Sequence, residues 1–317
     1  MLSSMKPAAA DNCPIGPVAP RHRGEALALV FRDLTWDDRS RQVEMILAGL
    51  ASGEVSPQGL LGAHRDGRLV GAVFCQVQPG KTAVVDPPRT VADEPAETAV
   101  RLLEAACRLL AGHRVRLAQA LLQPDRTAER SVLLAGGFNH LTDLVYLVCG
   151  ESEFPTTVPV CPIEFEPYCP ANHRRLARIV EATYQQTLDC PRLNGVRQIE
   201  DVLAGYRATG VFDPARWLIV RDPAAGDGYR DVGCLLLADH PQHENWELVY
   251  MGLSASQRGR GWGIEITRYA QWLTHRADRP RLVLAVDAAN HPAIRMYAAA
   301  GFEVGQRRSA YLRVFLE

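Results

Sequence analysis

The sequence has no apolar run near the ~18 residues of a membrane span, so a membrane protein is not expected. None of its eight cysteines is spaced C-x-x-C from another, which argues against a zinc ribbon or a thioredoxin-like centre, and no metal is expected. Scattered cysteines in a chain of 317 residues suit buried apolar positions in a reducing cytoplasm. Surplus positive charge is missing too: 35 Lys and Arg stand against 36 Asp and Glu, a net charge of −1. That argues against a broad nucleic-acid footprint and confines any anion site to one locality. The opening "MLSSMKPAAADNCPIGPVAPRHRG" has no sustained apolar segment, so a secretory signal is not expected, and residues 1–25 read as a disordered tail.

Apolar residues make up 47% of the chain and charged residues 22%, as in soluble globular proteins, and the length suits two domains. "GESEFPTTVPVCPIEFEPYCP" carries five prolines among polar residues and divides the chain near its middle. Proline neither donates to a ladder nor continues a helix, so residues 151–162 read as a linker. The halves on either side, 26–150 and 163–317, resemble each other. Each has a hairpin ("LLGAHRDGRLVGAVFCQV" and "RWLIVRDPAAGDGYRDVGCLLLAD"), then a helix, an apolar strand, a short helix ending in Gly-Phe, and closing apolar strands. Helices alternating with strands and hairpins predict two tandem α/β domains, each with a mixed, mostly antiparallel sheet flanked by helices. Ahead of the second hairpin, helices are expected over residues 172–187 and 196–208, joined by "LDCPRLNG".

The second half runs "ENWELVYMGL" into "SASQRGRGWG" and a helix. Gly259, Gly261 and Gly263 allow a tight turn and close backbone approach to a ligand. The helix start offers unpaired N–H groups and a positive dipole end, and Arg258 and Arg260 add charge, so a pyrophosphate is the natural guest. No Gly-Lys-Ser/Thr triplet follows, which excludes a P-loop. Counting from Gly259, the sixth position is Ile264, which excludes G-x-G-x-x-G. What stands there is R-x-x-G-x-G. Downstream, "NHPAIRMYAAAGF" sets Asn290 ahead of a short helix with Ala293, Tyr297 and Ala300 on one face. Taken alone, Asn290 reads as a helix cap and Tyr297 as a packing aromatic.

Together the two stretches resemble the GNAT superfamily of acyl-CoA-dependent N-acyltransferases, over residues 162–317. The resemblance implies that acetyl-CoA lies in a splay between strands at 247–253 and 282–287. Its pyrophosphate would rest on Arg258, Gly259, Arg260, Gly261, Trp262 and Gly263, with Asn290, Ala293, Met251 and Leu253 also touching the cofactor. Gly252 beside Met251 marks a candidate bulge, with the N–H of Leu253 or its neighbour as oxyanion donor. Glu247 is the implied general base, with Glu244 in reserve, and Tyr297 the implied general acid. Acceptor residues are sought in Tyr184, Asp189, Cys190, Asn194 and Tyr206. The first half sets "DPPRTV" where glycines are needed, and places Leu133 and Arg126 at the positions of Tyr297 and Asn290. It therefore reads as a degenerate GNAT-like domain.

The expected reaction is acetyl transfer to a primary amine of a small molecule or peptide by direct attack. A catalytically silent CoA-binding sensor is one alternative. Another is acetylation of a thiol metabolite's amine, since the tandem layout resembles mycothiol synthases. A nucleotide- or nucleic-acid-binding module is a third. The sequence leaves the oligomeric state open.

Overall fold

A computed structural model describes residues 13–224 and 228–315. Two compact units divide the chain: Met1–His140 with Tyr311–Glu317, and Leu141–Ala310. Of the expected tail, residues 1–12 lie outside the described residues, but 13–25 are ordered. Cys13 is buried, Ile15–Pro17 forms strand β1, and helix α1 (Arg23–Val30) begins inside the expected tail. A three-residue strand is too short to show alternation, so Pro- and Ala-rich composition concealed it.

The first unit continues with α2 (Trp36–Ser52), β2 (Leu60–Arg65), β3 (Arg68–Gln78), β4 (Thr82–Thr90), α3 (Ala96–Gly112), β5 (Leu117–Leu122) and α4 (Thr127–Ala135). Its strands lie in the order β1-β2-β3-β4-β5, antiparallel except for the parallel pair β4/β5. Ala99, Leu102, Leu103, Ala106, Cys107 and Leu110 of α3 recur at helical spacing and are buried, with one sheet face, around Val73 and Val85. Leu27, Val30 and Ile46 of α1 and α2 cover the other face, around Phe74. Pro87 and Pro88 do not occupy the turn expected to replace the glycines. They stand inside β4, where the register with β3 shifts between Ala72 and Phe74, and a bulge tolerates their missing N–H groups. The link from β4 to α3 is Val91–Pro95, which contains no glycine.

The second unit contains β6 (Asn139–Gly150), β7 (Glu164–Pro167), α5 (His173–Thr183), α6 (Ile199–Arg207), β8 (Trp217–Asp222), β9 (Arg230–His240), β10 (Asn245–Leu253), α7 (Trp262–Arg276), β11 (Arg281–Asp287), α8 (His291–Ala299) and most of β12 (Glu303–Val314). Its strand order is β7-β8-β9-β10-β11-β6-β12, with β10/β11 parallel. One face is covered by α7 and α8, around Trp246, Leu248, Leu284 and Val286. The other is covered by α5 and α6, around Ile219, Cys234 and Leu236.

The expected boundary at residue 150 gives way to one at residue 140. Strand β6, which precedes the linker, pairs antiparallel with β11 from Leu144↔Asp287 to Gly150↔Arg281, so it is a strand of the second unit. In return, residues 311–315 join the first unit, where Tyr311 is buried and the Phe315 N–H donates to the Arg116 carbonyl at 2.9 Å. Alternating apolar residues specify a strand but not its partner.

Candidate active site

Strands β10 and β11 pair through Asn245↔Arg281, Trp246↔Leu282 and Glu247↔Val283, and no further. Beyond Glu247 they part, because β10 slips register against β9 between Leu248 and Tyr250. The extra residue is Val249. Trp246, Leu248, Met251 and Leu253 pack toward α7 and α8, whereas Val249 and Tyr250 both pack toward α5. The bulge is therefore at Val249, not at Met251 and Gly252 as expected. Gly252 answers a different need: a Cβ there would sit 2.7 Å from Thr183, so glycine lets α5 close on the strand.

The parted strands leave a cleft of ≈ 680 Å³, lined mainly by apolar residues. At one end Gly259 (φ 78°) and Gly261 (φ 81°) take left-handed conformations, and α7 starts at Trp262. A helix's first N–H groups have no intrahelical partner, so those of α7 begin at the cleft. Gly263 inside α7 costs about 1 kcal/mol relative to Ala. Buried Trp262, Ile266 and Ala270 below it, spaced by four, outweigh this at roughly 1.5–3 kcal/mol for each large side chain. Across the cleft the Asn290 side chain caps α8 by accepting the Ala293 N–H at 3.3 Å. One turn on, Tyr297 lines the cleft from a buried position, ring edge toward Phe302. Burial raises its phenol pKa, and the charge of Asp189 adds to the rise.

Of the expected cofactor contacts, Met251, Leu253, Arg258, Gly259, Gly261, Trp262, Gly263, Asn290 and Ala293 line this cleft. Arg260 does not; its guanidinium lies 5.1 Å from the Trp262 ring centre. Arg258 is present but otherwise engaged. Its guanidinium donates to the carbonyls of Leu253 (3.1 Å), Gln186 (2.7 Å) and Thr183 (2.7 Å), tying the glycine loop to the end of α5. An arginine beside a glycine loop reads as an anion ligand, and here its Nε, Nη1 and Nη2 each donate one bond to a backbone carbonyl.

Glu247 stands where the strands begin to part, is not among the residues lining the cleft, and is half-buried. Its Oε2 is 2.8 Å from His240 Nε2, and this hydrogen bond raises the His240 pKa against the opposing effect of burial. Glu244 occupies an exposed turn with φ 51°.

The acceptor candidates separate. Asp189 lines the cleft; Tyr184, Cys190, Asn194 and Tyr206 do not. Tyr184 and Tyr206 pair their hydroxyls at 3.0 Å and pack on Tyr250, and burial pushes the Tyr184 pKa up to about 12. The Asn194 amide donates to the Tyr184 carbonyl at 3.0 Å. The Cys190 thiol is pushed up to about 12, first by burial and then by Asp189 and Asp287, so it is no nucleophile at neutral pH. Asp287, Thr142, His240 and the bulge at Val249 carried no local sequence signal. Their roles arise from contacts between distant segments.

The second unit's mixed sheet, parted at the parallel pair β10/β11 beside a glycine loop, has the GNAT fold, and the tandem arrangement is shared with a solved structure. Residues 181–302 match the model of the Acetyltransferase (GNAT) family. The whole chain resembles a solved GCN5-related N-acetyltransferase from Sphaerobacter thermophilus, with TM-score 0.66, 16% identity, and 96% of each chain covered. It also resembles the GCN5-related glucosamine N-acetyltransferase region of a fungal multi-domain GH3 beta-N-acetylglucosaminidase (TM-score 0.61, 14% identity), covering 98% of this chain and 39% of that one. A tandem GNAT protein from the clavulanic acid biosynthesis pathway matches at TM-score 0.52 and 13% identity, over 96% of this chain and 98% of that one. At such identities the likeness is one of fold. A search of curated proteins finds no match. Among the described residues no helix is long and apolar enough to cross a membrane.

Proposed function

We propose that the second unit transfers an acetyl group from acetyl-CoA to a primary amine of a small molecule or peptide by direct attack. The carrying observation is the cleft between β10 and β11, with left-handed glycines and a helix start at one end and buried Tyr297 on its wall. The fit is chemical as well as spatial. Backbone N–H groups without side chains over them suit a pyrophosphate, and parted strand edges suit the amides of a pantetheine arm.

Acetyl-CoA bound there supplies the activated acyl group. The N–H groups of Met251 and Leu253 are the candidates for polarising its carbonyl. Tyr297, kept protonated by burial, holds the proton that a departing thiolate requires. Glu247 is the proposed base. From outside the wall it reaches the nitrogen through water, with His240 fixing its second oxygen.

The first unit is proposed to bind no CoA. Its strands β4 and β5 also part, after Val84↔Gln119. There Arg89 of β4 is buried in ion pairs with Glu129 of α4 and with Asp33 (2.5 Å), and Arg126 pairs with Asp33 at 3.3 Å. A charge network occupies that region instead of a glycine loop.

An acetyl-CoA consumption screen across amines, aminoglycosides, polyamines and peptide N-termini tests the proposal. Turnover with at least one acceptor is expected, together with a rise in Tm on adding CoA but not ATP. A CoA-dependent rise without any turnover replaces the enzyme by a sensor.

A further inference from the structure

If the cleft transfers acyl groups, the acceptor nitrogen must come to rest beside Tyr297, and one carboxylate is built into that wall. Asp189 is the only acidic side chain among the lining residues, and Arg258 the only basic one. Its Oδ1 accepts the backbone N–H of Asp287 at 3.0 Å, while its Oδ2 accepts nothing among the described residues. The loop around it is fixed. The Asp189 N–H donates to Thr187 Oγ1, and the Cys190 N–H to Asp287 Oδ2, both at 3.0 Å. Asp287 is itself 2% exposed, and its Oδ1 accepts the Thr142 hydroxyl at 2.7 Å and the Ala289 N–H at 2.8 Å.

The result is a carboxylate fixed through one oxygen, with the other free, a second carboxylate behind it, and no cation paired with either among the described residues. Arg258 lines the same cleft but makes no ion pair with Asp189; its guanidinium is turned to the carbonyls of Leu253, Gln186 and Thr183. Burial, with the Asp287 charge adding to it, raises the Asp189 pKa, so the anion stands at a cost that a bound cation removes.

We infer that Asp189 binds the acceptor as an ammonium ion, and that Asp287 and Thr142 are the positioning residues that aim it. The inference rests on the acyl-transfer reading and narrows it. Two aspartates repel a carboxylate carried next to the amine, so the acceptor is a primary amine without an α-carboxylate, not an α-amino acid.

The test compares wild type, Asp189→Asn, Thr142→Ala and Thr142→Ser. The substrates are the best amine of the screen and its α-carboxylated counterpart, with tyramine and tyrosine as the starting pair. Wild type is expected to favour the decarboxylated member by at least ~10-fold in kcat/KM, the scale of a charge-assisted hydrogen bond. Asp189→Asn is expected to raise KM for the amine by at least ~10-fold, and to narrow the preference between the pair. KM for acetyl-CoA and kcat should stay within about twofold. Thr142→Ala should move the same KM in the same direction by a smaller factor, and Thr142→Ser should restore it. Should Asp189→Asn lose its affinity for acetyl-CoA, the Thr142 pair decides alone. An unchanged amine KM, or equal use of both members of the pair, overturns the inference while leaving acyl transfer intact. Absence of turnover by wild type with every amine defeats the acyl-transfer reading instead.

Discussion

Replacing Arg258 by Met separates two roles that its position in the glycine loop would confound. As a phosphate ligand, it would matter only once CoA is bound. As the structure has it, the guanidinium spans the carbonyls of Thr183, Gln186 and Leu253, so it should matter in the free protein. Hydrogen bonds to a charged group contribute ~1.5–3 kcal/mol each when buried. Two of these three are exposed, so about 1 kcal/mol apiece is the better figure, roughly 3 kcal/mol together. The loss falls on the loop from Thr183 to Cys190, whose Gln186 (φ 52°) and Cys190 (φ 45°) take the left-handed backbone that the staple helps to hold. A cost of ~3 kcal/mol in a local opening equilibrium should speed amide hydrogen exchange across 183–190 by about 100-fold without CoA. Lysine, with a single nitrogen, should recover part of that protection and not all of it. The reasoning is refuted if exchange in the free Met variant matches wild type and only CoA affinity falls, in a salt-dependent way.

The loop glycines should divide by backbone conformation. Gly261→Ala forces a side chain into φ 81° with nothing within 4 Å of its Cβ, so a loss of ~1–2 kcal/mol and a Tm lower by several degrees are expected. Gly263→Ala meets only ordinary contact, 3.9 Å from Met296, and should hold or raise Tm while weakening CoA binding measured by calorimetry. Gly252→Ala should cost roughly 1–3 kcal/mol in urea melts, because buried Thr183 stands 2.7 Å from the new Cβ. The His240 pKa is raised in the fold, so its bond to Glu247 stabilises fully below the unfolded value of ~6.5 and is lost as pH rises through the raised one. The Tm gap between wild type and His240→Gln should therefore be widest near pH 6 and close in alkaline buffer. A gap that widens with pH contradicts the pairing.

Much of this site was legible in the sequence because its parts are local. Glycines at 259 and 261 before a helix betray themselves by their poor propensity, and the two were found at positive φ. Asn290 and Tyr297 follow the periodicity of a single short helix, and both face the cleft. What escaped was set by distant partners. The bulge at Val249 exists only in its register against β9, and Asp287 gains its role from Thr142, Asp189 and Cys190, which lie far from it along the chain. Arg258 was legible as part of the loop, but its bonds to the Thr183 and Gln186 carbonyls were not, since those residues lie far from it along the chain. The units depart from the repeats at β6 and at residues 311–315, because an alternating strand fits any half-buried sheet position.

The placement of β6 has a consequence for biosynthesis. Its residues leave the ribosome well before β11, yet Cys149 must wait for Leu282 and Leu144 for Asp287. The first unit waits longer still, because Tyr311, buried in its core, is made after the whole of the second unit. The second unit can therefore close only once β11 has been made, and the first only once Tyr311 has. Such late, non-local pairing folds slowly and keeps strand edges open meanwhile. Truncation after Ala310 should accordingly destabilise the first unit by about 3–5 kcal/mol, the scale of a lost buried aromatic, although the missing residues lie at the opposite end of the sequence.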